Sequence, residues 1–288
     1  MAAGLQPSQS AETFLERLEE LPEIKPFPTA ATQLMSACQN PDSTSKDIAA
    51  IIQCDPGLAM RLLRVANSSM YGFSREIRTI DHAIVVLGFR TVRDLSVSMA
   101  GAEVFSQGDS AQAERAALWR HSLACATVAR MLAQHVEELN PEEAFLAGIF
   151  HDVGKLIFFD LATDDYIALI ERTDPRNLIA EEESVFRTTH QEVGQNCADE
   201  WGLPEEINSA IGYHHNPEDA PADFELVALI QAANLLANAW QIGVDGEPSI
   251  DEAEVLERIE LPIDAAVLEQ VKENAPAAFE ETMQVCTG

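Results

Sequence analysis

The period of its apolar residues limits this chain's fold more than any other feature. Thr44, with Asp47 three positions on, has the form of a capping box ahead of Ile48, Ile51 and Ile52. Asp55 and Pro56 supply a cap and a first-turn proline before Leu58, Leu62 and Val65. Thr79 precedes Ile80, Ala83, Ile84 and Leu87, and Gly88 closes that run. Thr91 with Asp94 is expected to open a further helix carrying Val92, Leu95 and Met99. Strand-like alternation is scarce and no internal repeat stands out, so the chain reads as all-α, beginning with a helical N-terminal bundle over about residues 12–107.

The polar stretch "FSQGDSAQAE" reads as a joint, and a second helical half follows over about 108–243. One helix is expected from about Glu114 to His135. The next starts at Asn140 and Pro141 and is expected to run as one buried helix through "AGIFHDVGKLIF", which contains His151 and Asp152. Thr189 with Glu192 opens a third, with His190, Val193, Cys197 and Trp201 on one face. Pro204 opens a fourth with Ile207, Ala210, Ile211 and His214, and Leu226 to Ala239 forms a fifth. The acidic appendage 244–288 is expected to form short helices, packed loosely through Val255, Ile259, Leu261 and Leu268.

With 288 residues, 47% of them hydrophobic, the chain can bury a sizeable core. Its 48 acidic and 18 basic side chains leave a net charge of -30, which repels phosphate backbones and anionic lipid. Neither direct nucleic-acid binding nor membrane association is expected, and an anionic substrate would require a local positive centre such as a bound cation. Met1 to Ser10 lacks the features of a secretory signal, and no apolar run reaches the roughly 18 residues of a membrane span, so the cytoplasm is the expected location. The five cysteines are scattered and never arranged as CxxC, so neither a disulfide nor a cysteine metal site is expected.

The chemistry lies in the histidines. Five of the seven, His121, His151, His190, His214 and His215, fall in the second half at starts, ends or cores of four predicted helices. Imidazole together with carboxylate suits a divalent transition metal such as iron, manganese, zinc or nickel, and packed helices hold such ligands on facing sides. Taken singly, each has another reading: His151-Asp152 as a hydrogen-bonded pair at a helix end, His190 as a helix N-terminus, His214-His215 as a C-terminus favoured by the macrodipole. His82 and His135 read as surface or capping residues.

The order His, His-Asp, His, His-His resembles the HD superfamily of metal-dependent phosphohydrolases. The resemblance maps onto His121, His151 and Asp152, with His190, His214 and His215 matching the extra histidines of the two-metal branch. "HDVGK" keeps the Gly154-Lys155 found in the HD-GYP phosphodiesterases, where Lys155 would pair with phosphate if the chain were an enzyme. The family's last ligand, an aspartate, is here Asn234 in "LIQAANLLAN", and "HHNPEDAPADF" stands where Gly-Tyr-Pro would follow. An amide oxygen can ligate a cation weakly, so Asn234 stays a candidate ligand with His121, His151, Asp152, His190, His214 and His215, but it brings no charge and cannot act as a base.

The remaining sequence is similar to the HD-related output domain family, HDOD, from about Leu21 to Ala239. "LPEIKPFP", "IIQCDPGLAMRLLRVANSSMYGF" and "IRTIDHAIVVLGFRTVRDL" carry that likeness, with "FLAGIFHDVGKL" and "HQEVGQNCADEWGLPEEINSAIGYHH" in the second half. The resemblance implies a helical bundle packed on an HD-like half. It further implies a non-catalytic bacterial signalling output or scaffold that acts on protein partners. The alternative it leaves open is a phosphomono- or diesterase with a degenerate metal site. "NSSMYGFSR" fits a helix end and turn, or an exposed recognition element.

Overall fold

The computed structural model describes residues 14–18, 28–39, 43–68, 71–73, 75–106, 111–243, 251–258, 261 and 263–287. Most of "LPEIKPFP", the centre of the expected joint (107–110), 244–250 and Ile259 lie outside them. Among the described residues there is no strand. After a short helical segment at 14–18 come α1 (Thr29–Gln39), α2 (Ser45–Gln53), α3 (Pro56–Ala66), α4 (Ile80–Leu87) and α5 (Phe89–Ser106). Then follow α6 (Gln112–Ala133), α7 (Pro141–Phe150), α8 (Val153–Leu161), α9 (Thr163–Arg172) and α10 (Leu178–Phe186). The last five are α11 (His190–Trp201), α12 (Glu205–Tyr213), α13 (Phe224–Ala239), α14 (Glu252–Arg258) and α15 (Ala265–Thr287).

The caps act as their chemistry requires. Thr44 N donates to Asp47 Oδ2 at 2.8 Å, Asp55 Oδ1 accepts from Leu58 N at 3.0 Å, and Thr79 Oγ1 accepts from His82 N at 3.1 Å. The expected helix start at Thr91 is corrected. Gly88, at φ 90°, turns the chain so sharply that α5 begins at Phe89, and Asp94 is not a capping residue but a buried one paired with Arg93. Asn67 ends α3 by exchanging two hydrogen bonds with the Ile77 backbone at 2.7 and 2.8 Å, which fixes the turn that carries Tyr71.

Helix α6 is the centre of the second half, packed by α7, α13 and α15, while α5 bridges from the first half onto α6 and α7. Gly148 makes the closest of these approaches, because a Cβ there would overlap the Ala126 backbone. Segment 14–18 also reaches across: Phe14 stacks on Phe158 with ring centroids 4.5 Å apart. The tail differs from the short, loose helices expected. Val271, Ala275 and Phe279 recur every four residues as a buried stripe, so α15 is a single helix of 23 residues against α6. Among the described residues, no helix is long and apolar enough to cross a membrane.

Candidate metal centre

"AGIFHDVGKLIF" is not one helix. Helix α7 ends at Phe150 with His151 as its C-cap, and Asp152 stands at the N-cap position of α8 without a side-chain cap bond, its carboxylate turned elsewhere. A helix end leaves its last carbonyls without intrahelical partners, and the His151 ring uses one: Nδ1 lies 2.8 Å from Gly148 O. His214 repeats this device at the end of α12, with Nδ1 3.0 Å from Ile211 O. Since a carbonyl only accepts, each Nδ1 carries a proton and each Nε2 points the other way, inward. His190, the first residue of α11, is set by Glu182 instead, at 2.7 Å from Nδ1. His121 lies within α6. The break between α7 and α8 and the ends of α11 and α12 thus face one another, with α6 alongside.

Asp152 is the centre of this arrangement. Its Oδ2 lies 3.5 Å from His121 Nε2, 3.4 Å from His151 Nε2 and 2.7 Å from Lys155 Nζ. Its Oδ1 lies 3.5 Å from both His190 Nε2 and His214 Nε2, and His190 Nε2 is 3.2 Å from His215 Nε2. Two ligand sets therefore share one carboxylate, His121-His151-Asp152 and Asp152-His190-His214-His215, with donor atoms within 4.8 Å of one another in each. His151, His190, His214 and Asp152 are buried, whereas His121, His215 and Lys155 remain partly open to solvent.

Burial holds His121 down at about 3, His214 at about 4 and His215 well below its ordinary value, so these imidazoles are neutral. Burial opposes the charge on Asp152, but the Lys155 ammonium and His151 outweigh it and keep the carboxylate ionised. Burial also opposes charge on His151, yet Cys125 and Asp152 overcome it and raise this imidazole to about 10, so a cation bound there would displace the His151 Nε2 proton. His151 Nε2, His214 Nε2 and Asp152 Oδ1 are buried with no hydrogen-bond partner in the protein. Three orphaned ligand atoms converging on one place match a cation's requirements, and mixed imidazole and carboxylate donors suit a divalent transition metal.

A second close approach brings the two ligand sets together. A Cβ on Gly154 would overlap the His190 carbonyl, and one on Gly194 would sit 2.7 Å from Ile211 Cγ2, so the absence of side chains at both lets α8, α11 and α12 close around Asp152. Asn234 faces inward on α13, buried like Val227, Ile230 and Ala237, but its Oδ1 accepts from Asn238 Nδ2 at 3.2 Å rather than from any group of the cluster. His82 and His135 are exposed and stand apart.

Two residues of this centre were not anticipated, Glu182 and Tyr166. In "LIAEEESVF" Glu182 reads as one of three surface glutamates, yet it lies four residues from both Leu178 and Phe186 on the helix's apolar stripe. A charge at a core position of an amphipathic helix was the signal available.

The sequence pattern of the HDOD domain family matches residues 24–217. An HDOD domain protein of unknown function from Geobacter sulfurreducens has a similar structure, with a TM-score of 0.76 at 24% identity over 95% of this chain and 98% of its own. A protein from Shewanella amazonensis, named as a candidate phosphohydrolase, gives 0.73 at 25% identity over 96% and 98%. An uncharacterized Treponema pallidum protein is 26% identical over 234 residues, which is 80% of this chain, and the chain spans only 44% of that curated relative's length.

Proposed function

Since the chain belongs to the HDOD domain family, we propose that it is a signal-transduction output module that works through protein contacts and holds a divalent transition metal at the Asp152 centre. The observation that carries the metal is the set of orphaned buried atoms, His151 Nε2, His214 Nε2 and Asp152 Oδ1. His121, His151 and Asp152 would hold one ion, and Asp152, His190, His214 and His215 offer a second set. Bound there, an iron, manganese, zinc or nickel ion would supply Lewis acidity and a water of lowered pKa. Held by these residues, it would tie α6, the α7–α8 break, α11 and α12 together.

Two features support an output rather than a hydrolase. Asn234 is an amide where the superfamily's last ligand is a carboxylate, and Lys155, the candidate phosphate partner, already bonds Asp152 at 2.7 Å. The surface charge of -30 favours protein partners over nucleic acid or anionic lipid. One observation favours the alternative, a metal-dependent phosphohydrolase with a degenerate site: two ligand sets sharing one carboxylate is how paired-metal phosphoesterases are built.

Elemental analysis of protein purified without chelators, beside Asn234→Asp, tests the metal. We expect bound metal in the native protein and higher occupancy in the variant; a metal-free native protein would sink the reading. Phosphomono- and diester assays with added manganese, iron, zinc or nickel test the output role. Turnover that disappears in His151→Ala would establish the hydrolase instead.

A further inference from the structure

We infer that Glu182, with Tyr166 behind it, is a positioning residue that fixes His190 as a metal ligand and raises its donor strength. The inference rests on the metal reading above and names how one of its ligands is controlled.

Glu182 lies on α10, fully buried, and every contact it makes is directed. Oε2 accepts from His190 N at 2.9 Å and from His190 Nδ1 at 2.7 Å, while Oε1 accepts from Tyr166 Oη at 2.6 Å. Tyr166 is itself immobilised: its ring stacks on Phe158 at 4.6 Å and 15° and meets Phe159 and Phe186 edge-on. An ionised carboxylate only accepts, so His190 Nδ1 must carry the proton. The Nε2 lone pair is then directed at Asp152 Oδ1, 3.5 Å away, beside His215 Nε2 at 3.2 Å.

The charge needs a reason. A buried carboxylate is costly unless fully paired, and a leucine or methionine of similar size would fill its place beside Tyr166 without that cost. His214 shows that a neutral backbone carbonyl is enough to choose a tautomer. What a carboxylate adds at His190 is electron density in the ring: an anion behind Nδ1–H makes Nε2 a stronger donor, the carboxylate–histidine–metal arrangement in which loss of the outer partner weakens metal binding about 10- to 100-fold. Glu182 also closes the backbone of α11, because the His190 N–H it accepts is one of the four free donors at that helix start. One side chain therefore sets the ring, its proton and the helix that carries it.

The test uses the full chain with cobalt(II) as the probe, alongside histidine nitrogen NMR of the metal-free protein. The wild type should show His190 as the Nδ1–H tautomer. Glu182→Gln should bind cobalt(II) about 10- to 100-fold more weakly with a shifted visible spectrum, and Tyr166→Phe should lose less. Tyr166→Phe keeps the ring packing and carries the comparison if Glu182→Gln does not fold. A wild-type His190 protonated on Nε2, or variants with wild-type affinity and spectrum, would overturn the inference. A wild type that takes up no cobalt(II) sinks the metal reading alone, because the tautomer is read without metal.

Discussion

Two buried glutamates, each accepting from a tyrosine hydroxyl, serve the two regions of the molecule in different ways. Glu142, on the first turn of α7, accepts from Tyr71 Oη at 2.7 Å and faces Arg130 Nη1 at 3.8 Å. Arg130 lies over the Phe145 ring, 4.4 Å from its centroid, and its Nη2 is 3.5 Å from Thr282 Oγ1 on α15. That carboxylate ties the turn after α3, the central helix and the C-terminal helix together. Glu182 has the same tyrosine contact at 2.6 Å but gives its other oxygen to His190. Burial pushes Glu142 above its ordinary value against the pull of Arg130; at Glu182 burial acts the same way, but His190 overcomes it and the carboxyl titrates lower. The same residue type at the same depth therefore acts as a joint in one region and as a ligand's brace in the other, and the partner decides which.

Five substitutions would break or sharpen that contrast. The largest loss of stability is expected for Glu142→Ala, which leaves Arg130 buried without its counter-ion and should cost about 3–5 kcal/mol in chemical denaturation, with metal content per folded chain unchanged. Gly154→Ala should cost about 1–3 kcal/mol, since its Cβ meets backbone that cannot rotate aside, and the surviving folded protein should hold less metal by elemental analysis. Equal metal retention in these two variants would dissolve the distinction. The tyrosines come next: Tyr71→Phe and Tyr166→Phe should each cost about 1–3 kcal/mol by leaving a buried oxygen short of a donor, and only Tyr166→Phe should alter metal affinity.

The smallest effect is one of pH. Because Glu142 titrates above its ordinary 4.5 in the folded protein, the stability linked to its proton is fully present below that value and is lost as pH rises through the folded one. Glu142→Gln cannot titrate there. Its Tm relative to wild type should therefore climb as pH rises from below 4.5 through the folded value, and a difference that stayed flat would mean that Arg130 holds the carboxyl near its ordinary value.

Much of this was legible in the residues. Caps at Thr44, Asp55, Thr79 and Thr189 with apolar stripes of helical period give an all-α fold, because both signals are local and act within one or two turns. The inward faces of α11, α12 and α13, and with them His190, His214 and Asn234, followed from the same period. The break at His151-Asp152 was not legible, because the apolar run is continuous across it. What ends α7 there is the ring of His151 taking the Gly148 carbonyl and the need to place Asp152 among histidines from distant segments.

Local pattern, then, determined which residues form helices and which faces turn inward. Only the tertiary structure decided that Asp152 stands between two ligand sets, that Glu182 is a core residue rather than one of three surface acids, and that Asn234 turns its amide to Asn238. The physical reason is range. Helix signals depend on neighbours a few residues apart, whereas a carboxylate's role is set by whichever donors folding brings within about 3 Å of it, and those come from anywhere in the chain.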